Sequence, residues 1–340
     1  MDPTTSFPAQ TADRLVDRFD RHVTYLRISV TDRCNYRCVY CMSEEMTFVP
    51  RSSLLTLEET GQIARAFCEL GVTKIRITGG EPLVRRNILW LFDDLRRIPQ
   101  LESLVLTTNG SLLTRYAGDL KAAGVNRINI SLDSLDPARF HRITRTGDLN
   151  TVLKGIDAAL AAGFDRLKLN CVVMKHRNHD ETLALTRFAA ARGMDISFIE
   201  EMPLGEVSEH DRAEMYYSSD EVLADLQREL HLIATTDSTG GPARYYRLTG
   251  SGTRVGFISP HSHNFCANCN RVRLTAQGML LLCLGQEHAS DLKRVVRGYP
   301  GDTGRIKRAI VKAMAIKPRG HEFNLQEQPV ILRHMNLTGG

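Results

Sequence analysis

RISVTDRCNYRCVYC, residues 27–41, runs from a short apolar stretch straight into three cysteines, Cys34, Cys38 and Cys41, spaced C-x3-C-x2-C. Three thiolates so close in the chain can share one metal centre. A four-iron cluster takes four ligands, so three cysteines leave one iron open to a substrate or cofactor. Zinc is the competing reading, but it asks for four protein ligands, or three with water. The run contains no histidine or fourth cysteine to close such a site. The stretch before the cysteines reads as a strand with the centre at its carboxyl end.

That strand-then-loop pattern recurs. Strands are expected at 25–30, 74–79, 103–109, 127–132, 166–173 and 195–201. Helices with apolar residues three and four apart are expected at 57–70, 87–98, 112–123, 151–162 and 180–192. Four of them run out at Gly71, Gly124, Gly163 and Gly193, and glycine takes the left-handed cap at low cost. Such alternation implies an α/β fold, a parallel sheet with right-handed crossovers. Six strands are too few for a full eight-stranded barrel, which leaves a partial, open barrel or a doubly wound sheet. Either binds ligands at the carboxyl ends of its strands. There the unusual residues gather: the cysteines, Gly79-Gly80-Glu81-Pro82, Thr107 to Gly110, Ser131 to Asp133, and Glu200 to Met202, with Lys168 and Asn170 on the fifth strand.

Residues 1–20 are polar with two prolines and read as a flexible arm, 21–202 as the barrel unit and 203–340 as a C-terminal α+β extension. Within the extension, 203–218 reads as a linker and 219–231 as an amphipathic helix. Residues 244–259 read as a hairpin turning at Gly250-Ser251-Gly252, and 271–284 as a second turning at Gln277-Gly278. A helix is expected at 304–315 and an irregular tail at 317–340, ending in Gly339-Gly340.

The net charge of +5, from 44 Lys+Arg against 39 Asp+Glu, is too small to argue for nucleic acid. Eight cysteines in 340 residues do not make a disulfide scaffold. Six of them fall in two clusters, while Cys68 and Cys171 sit in apolar segments as structural thiols. No run approaches 18 apolar residues and residues 1–10, MDPTTSFPAQ, show no apolar signal region, so a cytoplasmic, reducing location without membrane insertion is expected.

The second cluster, Cys266, Cys269 and Cys283, is spaced C-x2-C-x13-C. A zinc ribbon completed by His261, His263 or His288 stands open beside an iron–sulfur site. Alternation puts Arg271 and Arg273 on one strand face, as a solvated pair or as two forks for phosphate oxygens.

Together these motifs resemble the radical S-adenosylmethionine superfamily and, within it, the family of GTP 3′,8-cyclases of molybdenum cofactor biosynthesis. The carrying stretches are LRISVTDRCNYRCVYCM, KIRITGGEPLVR, LTTNG, INISLDS, FIEEMPLG, NFCANCNRVRLTAQGMLLLC and the terminal Gly339-Gly340. The resemblance runs from about residue 20 to 340. It implies a lyase on a partial (β/α)6 barrel that joins the ribose of GTP to C8 of guanine. Cys34, Cys38 and Cys41 would hold a [4Fe-4S] cluster whose open iron chelates S-adenosylmethionine. An electron from that cluster would then release a deoxyadenosyl radical. Tyr40, Gly80, Ser131 and Met202 would line the S-adenosylmethionine site. Cys266, Cys269 and Cys283 would hold a second [4Fe-4S] cluster meeting guanine. Arg27, Arg76, Thr107, Lys168, Arg271, Val272 and Arg273 would contact GTP. The resemblance also implies a flavodoxin- or ferredoxin-like electron donor, a downstream cyclic pyranopterin monophosphate synthase and a homodimer.

One position departs from the family: Ser197 stands where an arginine is common, so one phosphate contact is lost or supplied elsewhere. The terminal glycines have no side chains and suit a narrow cavity. Two rivals are a radical enzyme acting on a peptide and a zinc-stabilised nucleic-acid-binding module.

Overall fold

The computed structural model describes residues 14–164, 166–205, 211–325 and 331–339. Strand and helix alternate as β1 (Tyr25–Ser29), α1 (Leu57–Glu69), β2 (Lys74–Thr78), α2 (Ile88–Leu95), β3 (Ser103–Thr108), α3 (Leu113–Ala122) and β4 (Arg127–Ser131). They continue as α4 (Pro137–Thr144), α5 (Leu149–Ala161), β5 (Arg166–Val173), α6 (Thr182–Ala191) and β6 (Asp195–Glu200). All six expected strands form. The cap glycines 71, 124, 163 and 193 take positive φ as expected. Helix α4 was not expected: only Phe140, Ile143 and Thr144 of its eight residues are buried, too thin a stripe to read.

The extension differs more. It contains α7 (Arg212–Met215), α8 (Ser219–Gln227), β7 (Leu232–Thr235), β8 (Arg244–Leu248), β9 (Arg254–Ile258), β10 (Arg271–Leu274), β11 (Met279–Leu281) and β12 (Ala289–Asp291). Then follow α9 (Leu292–Gly298), α10 (Thr303–Met314) and α11 (Met335–Thr338). Both hairpins form, with Gly250 and Gly278 at positive φ. The expected linker carries α7, and the expected irregular tail carries α11 and a bridge between Leu204 and Ile331. Of the amino-terminal arm, residues 1–13 lie outside the described residues, as does Gly340. Leu15 and Asp17 are buried.

One twelve-stranded sheet runs β12-β11-β10-β1-β2-β3-β4-β5-β6-β9-β8-β7. Its central strands β1 to β6 follow chain order and pair in parallel, which selects the partial barrel over the doubly wound sheet. The extension lengthens the parallel run at both ends, β10 beside β1 and β9 beside β6. The family of residues facing the helices is apolar: Leu26, Ile28, Ile75, Ile77, Leu104, Leu106, Ile128, Ile130, Leu167 and Leu169 all join the core. A parallel sheet covered on both faces reads as continuous apolar strands. Here the alternate residues are Tyr25, Arg27, Lys74, Arg76, Thr107, Arg127, Asn129 and Lys168, and they border a cavity instead of a second core.

Candidate active site

The sheet register aligns this polar face in rows. Arg273 pairs with Arg27, Arg27 with Arg76, Arg76 with Val105 and Val105 with Arg127. One row further, Thr107 pairs with Asn129 and Asn129 with Lys168. All seventeen residues expected to hold a cluster, S-adenosylmethionine or GTP border one cavity, the two cysteine trios included. Val272 borders it too, although its side chain joins the core. Lys74 and Arg127 raise the bordering cations to seven, with Arg27, Arg76, Lys168, Arg271 and Arg273. Neither was singled out from the sequence. Lys74 lies two residues from Arg76, and period two would have found it, whereas only the sheet register brings Arg127 into the row of Arg76.

So many cations in one apolar-walled space oppose one another. Burial pulls Arg27 down to about 10 and Lys74 to about 8, and neighbouring arginines add to both. Burial, then Arg27 and Arg271, hold Arg273 well below the arginine range. One phenol partly offsets this. Burial alone would raise Tyr25, but Arg76, Arg27 and Lys74 outweigh it and bring it to about 6. Arg76 donates from Nε to the Tyr25 hydroxyl and from Nη1 to Thr107 Oγ1 at 2.8 Å. Arg127 Nε is buried with no hydrogen-bond partner. That arrangement suits a polyanion arriving in the cavity.

Ser197 is fully buried, its Oγ has no partner, and it does not border the cavity. It lies beside Gly256 across the β6–β9 pair.

The first cysteine trio sits at the carboxyl end of β1. Burial pushes Cys34 up to about 11 and Cys41 to about 12, and holds Cys38 well above the thiol range. Three thiolates persist there only beside a cation. Glu81 fixes the neighbouring loops: its buried carboxylate accepts from Leu83 N at 3.0 Å, Thr108 Oγ1 at 2.8 Å and Asn109 N at 2.7 Å. The Asn109 amide in turn reaches Asn35 Oδ1 at 2.8 Å. Glu81→Gln turns one acceptor into a donor among these donors and is expected to lower the unfolding free energy by about 2 kcal/mol in denaturant titration. Tyr40 donates to Asp133 Oδ2 at 2.8 Å, which holds its ring at the cavity wall.

The second trio has a counter-charge that the sequence did not advertise. Lys317 is 1% exposed, and its Nζ lies 3.6 Å from Cys269 Sγ and 3.0 Å from Leu282 O. Burial would raise Cys269, but Lys317 and Arg271 outweigh it and bring it below the thiol range. Arg21 braces the same loop by donating to Cys266 O at 2.8 Å and Arg319 O at 2.7 Å. Among the described residues no three His, Cys, Asp or Glu side chains converge tightly enough for a single ion. The thiolates of a four-iron cube stand farther apart than the ligands of one ion. Each trio offers three thiols on the cavity, the donor chemistry that a four-iron cluster with one open iron would use.

The chain's end enters the same cavity wall. Met335 N donates to Cys41 O at 3.3 Å, and Asn336 Nδ2 to Asp32 O at 2.9 Å. The Gly339 carbonyl accepts from Arg27 Nη2 at 3.3 Å and from Arg273.

Residues 28–189 match the model of the radical SAM superfamily, and residues 194–323 that of Molybdenum Cofactor Synthesis C. The GTP 3′,8-cyclase of Saccharophagus degradans is 58% identical over 326 residues, 96% of this chain and 98% of its own length. The chain belongs to the GTP 3′,8-cyclase family. The GTP 3′,8-cyclase of Pseudomonas putida is likewise 58% identical over 332 residues, 97% of this chain and 99% of its own. In fold, the cyclase chain resembles SuiB of Streptococcus suis bound to S-adenosylmethionine, with a TM-score of 0.61 at 15% identity over 94% of this chain and 79% of that one. The two segments matched by the family models meet in one sheet, since β6 pairs with both β5 and β9.

Proposed function

We propose that this cyclase-family chain converts GTP into 3′,8-cyclo-7,8-dihydro-GTP, an early step of molybdenum cofactor biosynthesis, with two [4Fe-4S] clusters. The supporting observation is the meeting of both cysteine trios and seven cations on one cavity. Cys34, Cys38 and Cys41 hold the cluster that binds S-adenosylmethionine, beside Tyr40, Gly80, Ser131 and Met202. Cys266, Cys269 and Cys283 would hold the second, on the side of the cavity that takes the base. When bound, the first cluster and S-adenosylmethionine supply the radical that removes the ribose 3′ hydrogen.

The protein's own work is placement. Arg27, Arg76, Thr107, Lys168 and the Arg271-Val272-Arg273 run fix the nucleotide, with the sugar towards one trio and the base towards the other. Positioning of this kind supplies a large part of such barriers. Lys74 and Arg127 supply cationic charge that Ser197 cannot. The α11 segment and Gly339 close the cavity wall and keep water from the reacting carbons. Residues 21–202 thus serve radical formation and 203–340 the substrate side. A peptide substrate has no need of seven cations.

A flavodoxin- or ferredoxin-like protein supplies the electron, a cyclic pyranopterin monophosphate synthase consumes the product, and the enzyme works as a cytoplasmic homodimer. Among the described residues no helix is long and apolar enough to cross a membrane.

The test uses anaerobically reconstituted enzyme and GTP deuterated at C3′. Deuterium is expected in the 5′-deoxyadenosine formed, and Arg273→Met is expected to raise the KM for GTP by about tenfold or more. Protiated deoxyadenosine from the labelled substrate would sink the reading.

A further inference from the structure

Lys168 is 3% exposed and needs an acceptor to keep its ammonium charged at the cavity wall. Tyr245, on β8 at the far end of the sheet, provides one. Its hydroxyl lies 3.1 Å from Lys168 Nζ and 3.0 Å from Thr239 Oγ1. A phenol can accept from the ammonium and donate to the threonine at once. The ammonium also stands 5.4 Å from the centroid of the Tyr245 ring. Burial draws the Lys168 ammonium below the usual lysine range, and Tyr245 opposes that fall.

The ring, 2% exposed, is seated by a glycine. Gly256 is its register partner, and a Cβ there would fall 2.8 Å from Tyr245 Cε1 and 2.5 Å from Ser197 Oγ. Small residues at 197 and 256 therefore make the room that the phenol fills. Thr239 belongs to the loop between β7 and β8. Its carbonyl accepts from Lys74 Nζ, and Thr239, Gly241 and Pro242 border the cavity. The loop is thus tied to two cavity lysines, to one of them through Tyr245.

We propose that Tyr245 is a positioning residue for the nucleotide: its hydroxyl aims Lys168 into the cavity and latches the Thr239 loop beside it. This rests on GTP being the substrate. Tyr245→Phe keeps the ring that fills the space over Gly256, so the fold is retained while the latch is lost.

The experiment measures GTP binding and turnover on the anaerobically reconstituted holoenzyme. Tyr245→Phe is expected to raise Kd and KM for GTP about tenfold, the scale of one hydrogen bond to a charged group. At saturating GTP, kcat is expected to change less than about twofold, because only binding is weakened. The affinity for S-adenosylmethionine stays as in wild type. In a Lys168→Met background, adding Tyr245→Phe is expected to weaken GTP clearly less than it does in wild type, since only the contact with the Thr239 loop is left to lose. Gly256→Ala, which pushes the ring off its seat, raises KM in the same direction. An unchanged KM in Tyr245→Phe, or full additivity with Lys168→Met, would overturn the assignment. Wild-type enzyme that fails to bind GTP would instead overturn the substrate reading beneath it.

Discussion

Alanine at Cys266, Cys269 and Cys283 together is expected to lower iron from about eight to about four atoms per chain after anaerobic reconstitution. GTP conversion falls to background, while slow cleavage of S-adenosylmethionine without substrate survives. The reason lies in how separately the two trios are built. The first is held by the loops after β1 and β2, joined by Glu81 N to Arg33 O, with the Glu81 carboxylate tying the second loop to the end of β3. The second is held by the turn before β10, the strand end after β11 and Lys317. The Lys317 side chain is almost wholly buried and donates to Cys269 Sγ. Removing the acceptor of such a buried donor costs about 1–3 kcal/mol. The triple variant is therefore less stable as well, and Lys317→Met in the same background restores part of the loss. Four irons in both proteins, with zinc in the wild type, would show that the second site is a ribbon.

Gly80→Ala is expected to do the converse. A Cβ at Gly80 would fall 2.6 Å from Arg33 C and 2.7 Å from Asp32 O, and closer still to Arg33 O. All three are main-chain atoms of the cysteine run, so no side chain can swing aside. Gly80 N donates to Thr31 O at 2.7 Å and Glu81 N to Arg33 O at 2.9 Å, which joins the two loops. Forcing them apart displaces Cys34. A displacement of about 1 Å at reacting groups costs on the order of 100-fold in rate. Iron is expected to fall to about four per chain, with binding and cleavage of S-adenosylmethionine lost and GTP still bound. Retention of eight irons with normal cleavage would mean that the loops can part without harm.

What the sequence made legible was whatever is local. Six strands showed through because β-branched residues alternate with polar ones, and the cysteine spacings carried their chemistry in a few residues. Elements whose reason is tertiary stayed hidden. Strand β7 has two exposed residues out of four and forms because β8 pairs with it. Helix α11 is four residues long and is held by contacts with the first cysteine run. Arg127 in RINIS looks like any solvated strand residue until the register sets it beside Arg76's row. Tyr245 meets Lys168 across 77 positions and Lys317 meets Cys269 across 48, distances over which spacing carries no signal.

The pairing of β10 with β1 also bears on how the chain is made. Tyr25 and Arg271 are register partners at opposite ends of the sequence. Until residues 271–274 have left the ribosome, β1 has one open edge, and the cysteine run beyond it lacks the cover of Met335 and Asn336. An uncapped parallel edge invites pairing with another nascent chain, and such distant contacts form late. A stop codon before residue 271 is therefore expected to give a product that aggregates rather than a smaller folded barrel. The first cysteine site is thus expected to stay reachable for iron delivery until residues 335 and 336 have been made and cover it.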